Sequence, residues 1–156
     1  MRTVKPVIAT LLLLVLCQTS GQSGERSVLL PAREAKAVSK WYSKDRAEKI
    51  DGTWEPSKTD LDELEANLSQ ISTLNIYGWD LRIHIEHPEQ YFRQYIAVKV
   101  SGQNRIFVNS FRDETPTSDW HDTLYVVTDG ATCFWQALYD PATKLFSNLR
   151  IDARAY

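Results

Sequence analysis

The apolar spacing of this chain changes period once, and that change limits what it can fold into. Leu61, Leu64, Leu68 and Ile71 recur at three- and four-residue intervals, the spacing of one face of a helix. Beyond about residue 81 the period is two, beginning with Leu81, Ile83 and Ile85 between Arg82, His84 and Glu86. A helix with one apolar stripe and strands with one apolar side must bury these surfaces against each other. The expected class is therefore α+β: one amphipathic helix packed on a four- or five-stranded antiparallel sheet, with cystatin-like topology as the expected order.

The punctuation supports these elements. Ser57 is placed to cap the helix, and Asp60, Asp62 and Glu63 suit the positive end of its dipole. The pattern carries the helix to about Thr73. A short edge strand is expected at 81–86, then a strand over 91–101. Gly102-Gln103-Asn104 reads as the hairpin turn into 105–111. A polar loop at 112–122 holds Pro116 and Trp120. Further strands are expected at 123–128, 132–139 and 144–152, separated by turn residues at Asp129-Gly130 and Asp140-Pro141-Ala142-Thr143.

Upstream, Arg2, Lys5 and the apolar run Val7–Leu16 precede the polar Gln18-Thr-Ser-Gly21, with Thr19 and Gly21 as small residues at a cleavage position. This reads as a signal peptide over 1–21, too short to span a bilayer, which needs roughly 20 apolar residues. The expected location is periplasmic or secreted, with no transmembrane segment in the mature form. Leu14-Val-Leu-Cys17 also looks like a lipobox, so an anchor at Cys17 is an alternative to plain cleavage. Residues 22–50 read as a polar arm; Pro31 opens a helix through about Lys49, with Val38, Trp41 and Tyr42 as its thin apolar stripe. Residues 51–156 form one domain.

Removing Arg2 and Lys5 from the 18 Lys+Arg leaves 16 against 20 Asp+Glu. This mild, mixed acidity offers no basic stripe for nucleic acid. Two cysteines, one of them in the leader, exclude a disulfide scaffold.

Alternation sorts the strand residues into two faces. One collects Ile96, Val98, Val100, Ile106, Val108, Leu124, Val126, Leu138, Leu145, Leu149 and Ile151, the expected bed for the helix. The other collects Arg93, Tyr95, Phe107, Asn109, Phe111, Tyr125, Trp135, Tyr139, Phe146, Asn148 and Arg150. Aromatics and arginine are enriched where proteins bind partners, so this second face is the candidate binding surface. The alternative is that the arm, or the loop carrying Trp120, covers it. A register slip at Asp129-Gly130 would move Trp135 and Tyr139 to the opposite face.

Chemistry is thinly represented. His84, Glu86 and His87 are capable of metal binding, but on a strand His87 points away from the other two. His121 with Cys133 is a formal nucleophilic pair, although Cys133 within Thr-Cys-Phe-Trp reads as a small buried residue. No phosphate loop, dinucleotide motif or serine elbow is present, and nothing calls for a cofactor.

Thr53-Trp-Glu-Pro-Ser57 with Asp60-Leu61, Arg93-Gln-Tyr95, Asp129-Gly130 ahead of Phe134-Trp135, and Tyr139-Asp140 together resemble a set of small exported bacterial proteins of uncharacterised function. The resemblance spans about residues 51–155. It implies an envelope protein and lends no catalytic residues. The expected function is a non-catalytic binding domain. Its expected partner is a protein in the envelope or outside the cell, held on the aromatic face. A glycan or small molecule stacked on Trp135, Tyr95 and Tyr139 is the alternative, and an enzyme using His121 or His84 a further one.

Overall fold

The structure is a computed structural model that describes residues 26–42, 49–76, 84–112, 119–126 and 130–152. The leader, Cys17 and the expected strand residues 81–83 lie outside these ranges. The fold is α+β around a mostly antiparallel sheet. Its strands are β1 (Ser27–Leu29), β2 (Ile50–Thr53), β3 (Phe92–Val100), β4 (Gln103–Phe111), β5 (Ala131–Asp140) and β6 (Leu145–Asp152). The order is β1-β3-β4-β5-β6, with β2 also on β3. β1 runs parallel to β3 beside Arg93–Tyr95, whereas β2 lies antiparallel beside Val98–Val100. Two short strands thus share one edge of β3.

The β3–β4 turn sets the register and corrects the expected one. Val100 pairs with Gln103, leaving a two-residue turn of Ser101 (φ 51) and Gly102 (φ 75). Two successive positive φ values define the tight hairpin turn whose twist matches the strands. The three-residue turn read from Gly102-Gln-Asn104 differs from it by one residue. Because side chains alternate, that single step moves all of β4 to the other face. Ile96 therefore pairs with Phe107 and Tyr95 with Val108.

Helices lie on both sides of the sheet. Ser57 accepts from the Asp60 N–H (3.2 Å) while Asp60 accepts from the Ser57 N–H (2.8 Å), a reciprocal cap that starts α2 (Lys58–Ala66). The expected four-turn helix is broken at Asn67. Its side-chain N–H donates to the Glu63 carbonyl at 2.8 Å, competing with the helical ladder, and the chain continues as a 3-10 turn over Leu68–Thr73. The apolar stripe survives the break: Leu64, Leu68 and Ile71 are buried against Tyr95, Ile106, Val108, Trp135, Tyr139, Phe146, Leu149 and Ile151.

The arm is docked. Pro31 leads a 3-10 turn into α1 (Ala35–Tyr42), and Leu30, Ala35 and Val38 are buried against Ile96, Val98, Val100, Phe107 and Leu138. Residues 123–126, expected to open a strand, instead belong to a loop on this same side. Leu124 joins the α1 cluster, while Trp120 packs with Phe111 and Phe134. Residues 84–86, the described end of the expected edge strand, also carry no strand.

The far edge, β6, is partly closed by a side chain. Gln70 donates to the Lys144 carbonyl and accepts from the Phe146 N–H, both at 3.0 Å. Its amide stands where a neighbouring strand's peptide group would stand, which blunts an edge otherwise open to pairing. Asn148 (φ 57) lies where the β5–β6 register shifts, and the bulge restores Leu149 and Ile151 to the α2 side.

Candidate functional site

The residues of the expected aromatic face separate onto two faces, and both faces are covered. Arg93, Tyr95, Trp135, Tyr139 and Phe146 lie on the α2 side. Phe107, Asn109, Phe111 and Tyr125 lie on the side of α1 and the 119–126 loop. Arg150, paired with Gln136, takes the latter side, and Asn148 occupies the bulge; both are half-buried and engaged. Tyr95 is 2% exposed, Phe107 3%, Phe111 1%, and Trp135 and Tyr139 0%. Among the described residues these rings form no exposed aromatic sheet face. The rings are buried because α2 takes Tyr95, Trp135, Tyr139 and Phe146 into its cluster while α1 and the 119–126 loop take Phe107 and Phe111.

Two polar networks explain the buried polar members. On the loop side, Gln94, Asn109 and Gln136 occupy neighbouring positions on three strands. Asn109 donates to Gln94 Oε1 (2.9 Å) and to the Tyr125 carbonyl (2.8 Å), and Gln136 donates to Asn109 Oδ1 (3.2 Å). Gln94 donates to the carbonyls of Trp120 (2.5 Å) and Thr123 (2.7 Å) and accepts from the Tyr125 N–H (2.8 Å). This amide ladder stands in for a strand and pins the loop to the sheet.

On the α2 side, the Arg93 guanidinium donates to the Tyr91 (2.5 Å) and Glu89 (3.0 Å) carbonyls and pairs with Glu65 at 3.2 Å. The Tyr95 hydroxyl donates to Glu65 and accepts from Arg93 Nε (3.1 Å). Arg93 thereby ties α2 to the sheet and to the 3-10 turn at Pro88–Gln90, which is a structural duty. Burial, with the Glu65 carboxylate beside it, pushes the Tyr95 phenol well above its ordinary value, and Arg93 only partly opposes this.

The sign of the resulting pH dependence follows from that raised value. Below about pH 10, the ordinary phenol value, the folded and unfolded states both keep the proton and the contribution of Tyr95 is complete. Above it the unfolded chain ionises first, so stability falls by up to about 1.4 kcal/mol per pH unit for this group. Melting temperatures between pH 8 and 11.5 should show a decline beginning near pH 10 that is shallower in Tyr95→Phe. An equal decline in both proteins would remove Tyr95 as a cause.

The chemical candidates are dispersed. His121 is exposed, its ring 4.0 Å from that of Trp120, and His84 is exposed ahead of Ile85. His87 pairs with Glu89 at 3.3 Å. Cys133 is exposed rather than buried, a correction, because it sits at the outer start of β5. Among the described residues no group of three or more metal-capable side chains converges.

The accessible aromatic feature that strand alternation missed is Trp54. It belongs to neither periodic pattern, and a tryptophan stranded between Thr53 and Glu55-Pro56 was the available signal. It stands at the hairpin end of the sheet, where the turns 101–102 and 141–144 lie side by side. Its half-buried ring packs against the α2 core beside Leu61 and Leu74, and its indole N–H donates to the Arg105 carbonyl at 2.9 Å. Two grooves meet at it. One is lined by Leu29, Pro31, Ala32, Glu55, Pro56 and Ala97 among others; Leu29 is 39% exposed. The other, about 700 Å³, is bounded by Asp60, Gly102 with the first residues of β4, and Asp140 with the turn that follows it to Thr143.

No protein-family model, curated protein or solved structure matches this chain.

Proposed function

We propose that this chain is an exported domain, periplasmic or secreted, that binds a protein partner without performing chemistry. We further propose that its contact surface is the hairpin end around Trp54 and not a sheet face. The observation that carries this reading is the pinned, half-buried Trp54 between two grooves. A large ring held at low entropic cost on a rigid scaffold is the usual anchor of an interface. The leader pattern and the resemblance to small exported bacterial proteins support the location. Among the described residues no helix is long and apolar enough to cross a membrane.

The order β2-α2-β3-β4-β5-β6, with β2 beside β3 and α2 on one face, supports a cystatin-like reading of this part of the chain. Inhibitor-like binding follows from it by fold analogy alone. The alternative that stacks a ligand on Trp135, Tyr95 and Tyr139 would need rings that are at most 2% exposed.

Trp54→Ala should reduce partner capture from envelope extract at least tenfold per folded molecule. Val126→Ala, at an exposed position outside the hairpin end, should leave it unchanged. Equal capture by Trp54→Ala and the wild type would contradict the reading.

A further inference from the structure

We infer that the groove between Trp54, Asp60 and the ends of the two hairpins is a saccharide subsite that takes a neutral pyranose ring. This rests on the reading of the hairpin end as the contact surface and deepens it, the pyranose being part of a glycan carried by the protein partner. A pyranose presents C–H bonds on its flat faces and hydroxyls around its rim. The first are met by the face of an aromatic ring, whose negative quadrupole suits C–H edges. The second are met by planar amides and carboxylates, which offer paired donors and acceptors.

The groove brings both together. Trp54 is fixed in orientation by its bond to the Arg105 carbonyl and by the core beneath it. The polar groups around it are held from one side, with capacity left on the other. Gln103 Oε1 accepts from Arg105 at 2.6 Å, which leaves the Gln103 amide N–H groups to donate. Asp60 Oδ2 takes both the Ser57 N–H (2.8 Å) and the Ser57 hydroxyl (2.7 Å), which leaves Oδ1. Asp140 is positioned by Arg105 at 3.2 Å and by the Ala142 N–H at 2.9 Å, and Asn104 is exposed at the start of β4. Such preorganisation lowers the ordering cost of binding.

Charge selects the kind of sugar. Two carboxylates, Asp60 and Asp140, and one guanidinium, Arg105, line the groove, so an acidic sugar meets net repulsion and a neutral one does not.

The test titrates the exported chain with cellotriose, triacetylchitotriose and trigalacturonate, following the indole N–H resonances by NMR. The Trp54 resonance is identified by its loss in Trp54→Phe. At least one neutral trisaccharide should shift that resonance saturably, and trigalacturonate should not. Affinity should fall at least tenfold in Trp54→Ala and several-fold in Gln103→Ala, whose exposed position spares the fold. No saturable shift with either neutral sugar at on the order of 10 mM, binding indifferent to Trp54→Ala, or a preference for trigalacturonate would each overturn the subsite. If Trp54→Ala loses protein capture while neither sugar shifts its resonance, the saccharide falls and the contact surface stands. If Trp54→Ala changes neither, both fall.

Discussion

Phe107→Ala is expected to destabilise the protein by about 3–5 kcal/mol, with no loss of partner capture per folded molecule. The ring is 3% exposed and packs with Val38 of α1, Ile96 and Leu138. Its truncation removes buried apolar area and leaves a cavity between two rigid layers, so the transfer and cavity costs add. Tyr95→Ala should be similarly costly, because it also strips a hydrogen-bond partner from both Glu65 and Arg93. Thermal and denaturant melts of the two variants measure this. A cost below about 0.5 kcal/mol, the range of surface changes, would mean that the ring is not core and that α1 does not cover this face.

The second large effect concerns the amide ladder. Gln94→Leu keeps the side-chain volume roughly constant and removes every polar atom of the member on β3, which makes most of the bonds to the loop. The carbonyls of Trp120 and Thr123, the Tyr125 N–H and one Asn109 N–H each lose a partner. At roughly 1–3 kcal/mol for each buried group left unsatisfied, the protein should either lose 3 kcal/mol or more or release the loop. Hydrogen exchange separates these outcomes: amides of residues 119–126 should lose protection ahead of those in β3 and β4. A loop with unchanged protection in a variant of unchanged stability would show that apolar packing of Trp120 and Leu124 alone holds it.

Much of the architecture was legible because it rests on local rules. Ser57 with Asp60 marks a helix start by hydrogen-bond geometry alone, and α2 begins there. The turn at Asp140 is equally local: the Asp140 side chain accepts from the Ala142 N–H, and β6 follows. What failed was long-range. Strand register depends on which two residues form a turn, and Ser101-Gly102 and Gly102-Gln-Asn104 are equally rich in turn formers. One residue of difference placed Phe107, Asn109 and Phe111 with Tyr95 on a face they do not share.

The arm looked too polar to dock because it contributes only a few buried side chains, Leu30, Ala35 and Val38; their value lies in the Phe107 surface they meet. Gln94 and Gln136 fall by alternation on the aliphatic face beside Ile96 and Leu138, and only tertiary structure reveals the loop carbonyls that Gln94 satisfies and the Asn109 side chain that Gln136 meets. Trp54 was visible as a residue but not as a site, because its setting is built by two hairpin turns distant from it in sequence.

The central claim, that recognition occurs at the hairpin end, is tested most directly by site-specific photo-crosslinking in the envelope. A benzophenone side chain placed at Thr143, on the rim of the Trp54 groove, should give a discrete adduct that disappears when Trp54→Ala is added. The same group at Val126, exposed on the loop that covers the other sheet face, should give none. An adduct from Val126, or one from Thr143 that persists unchanged in Trp54→Ala, would contradict the claim.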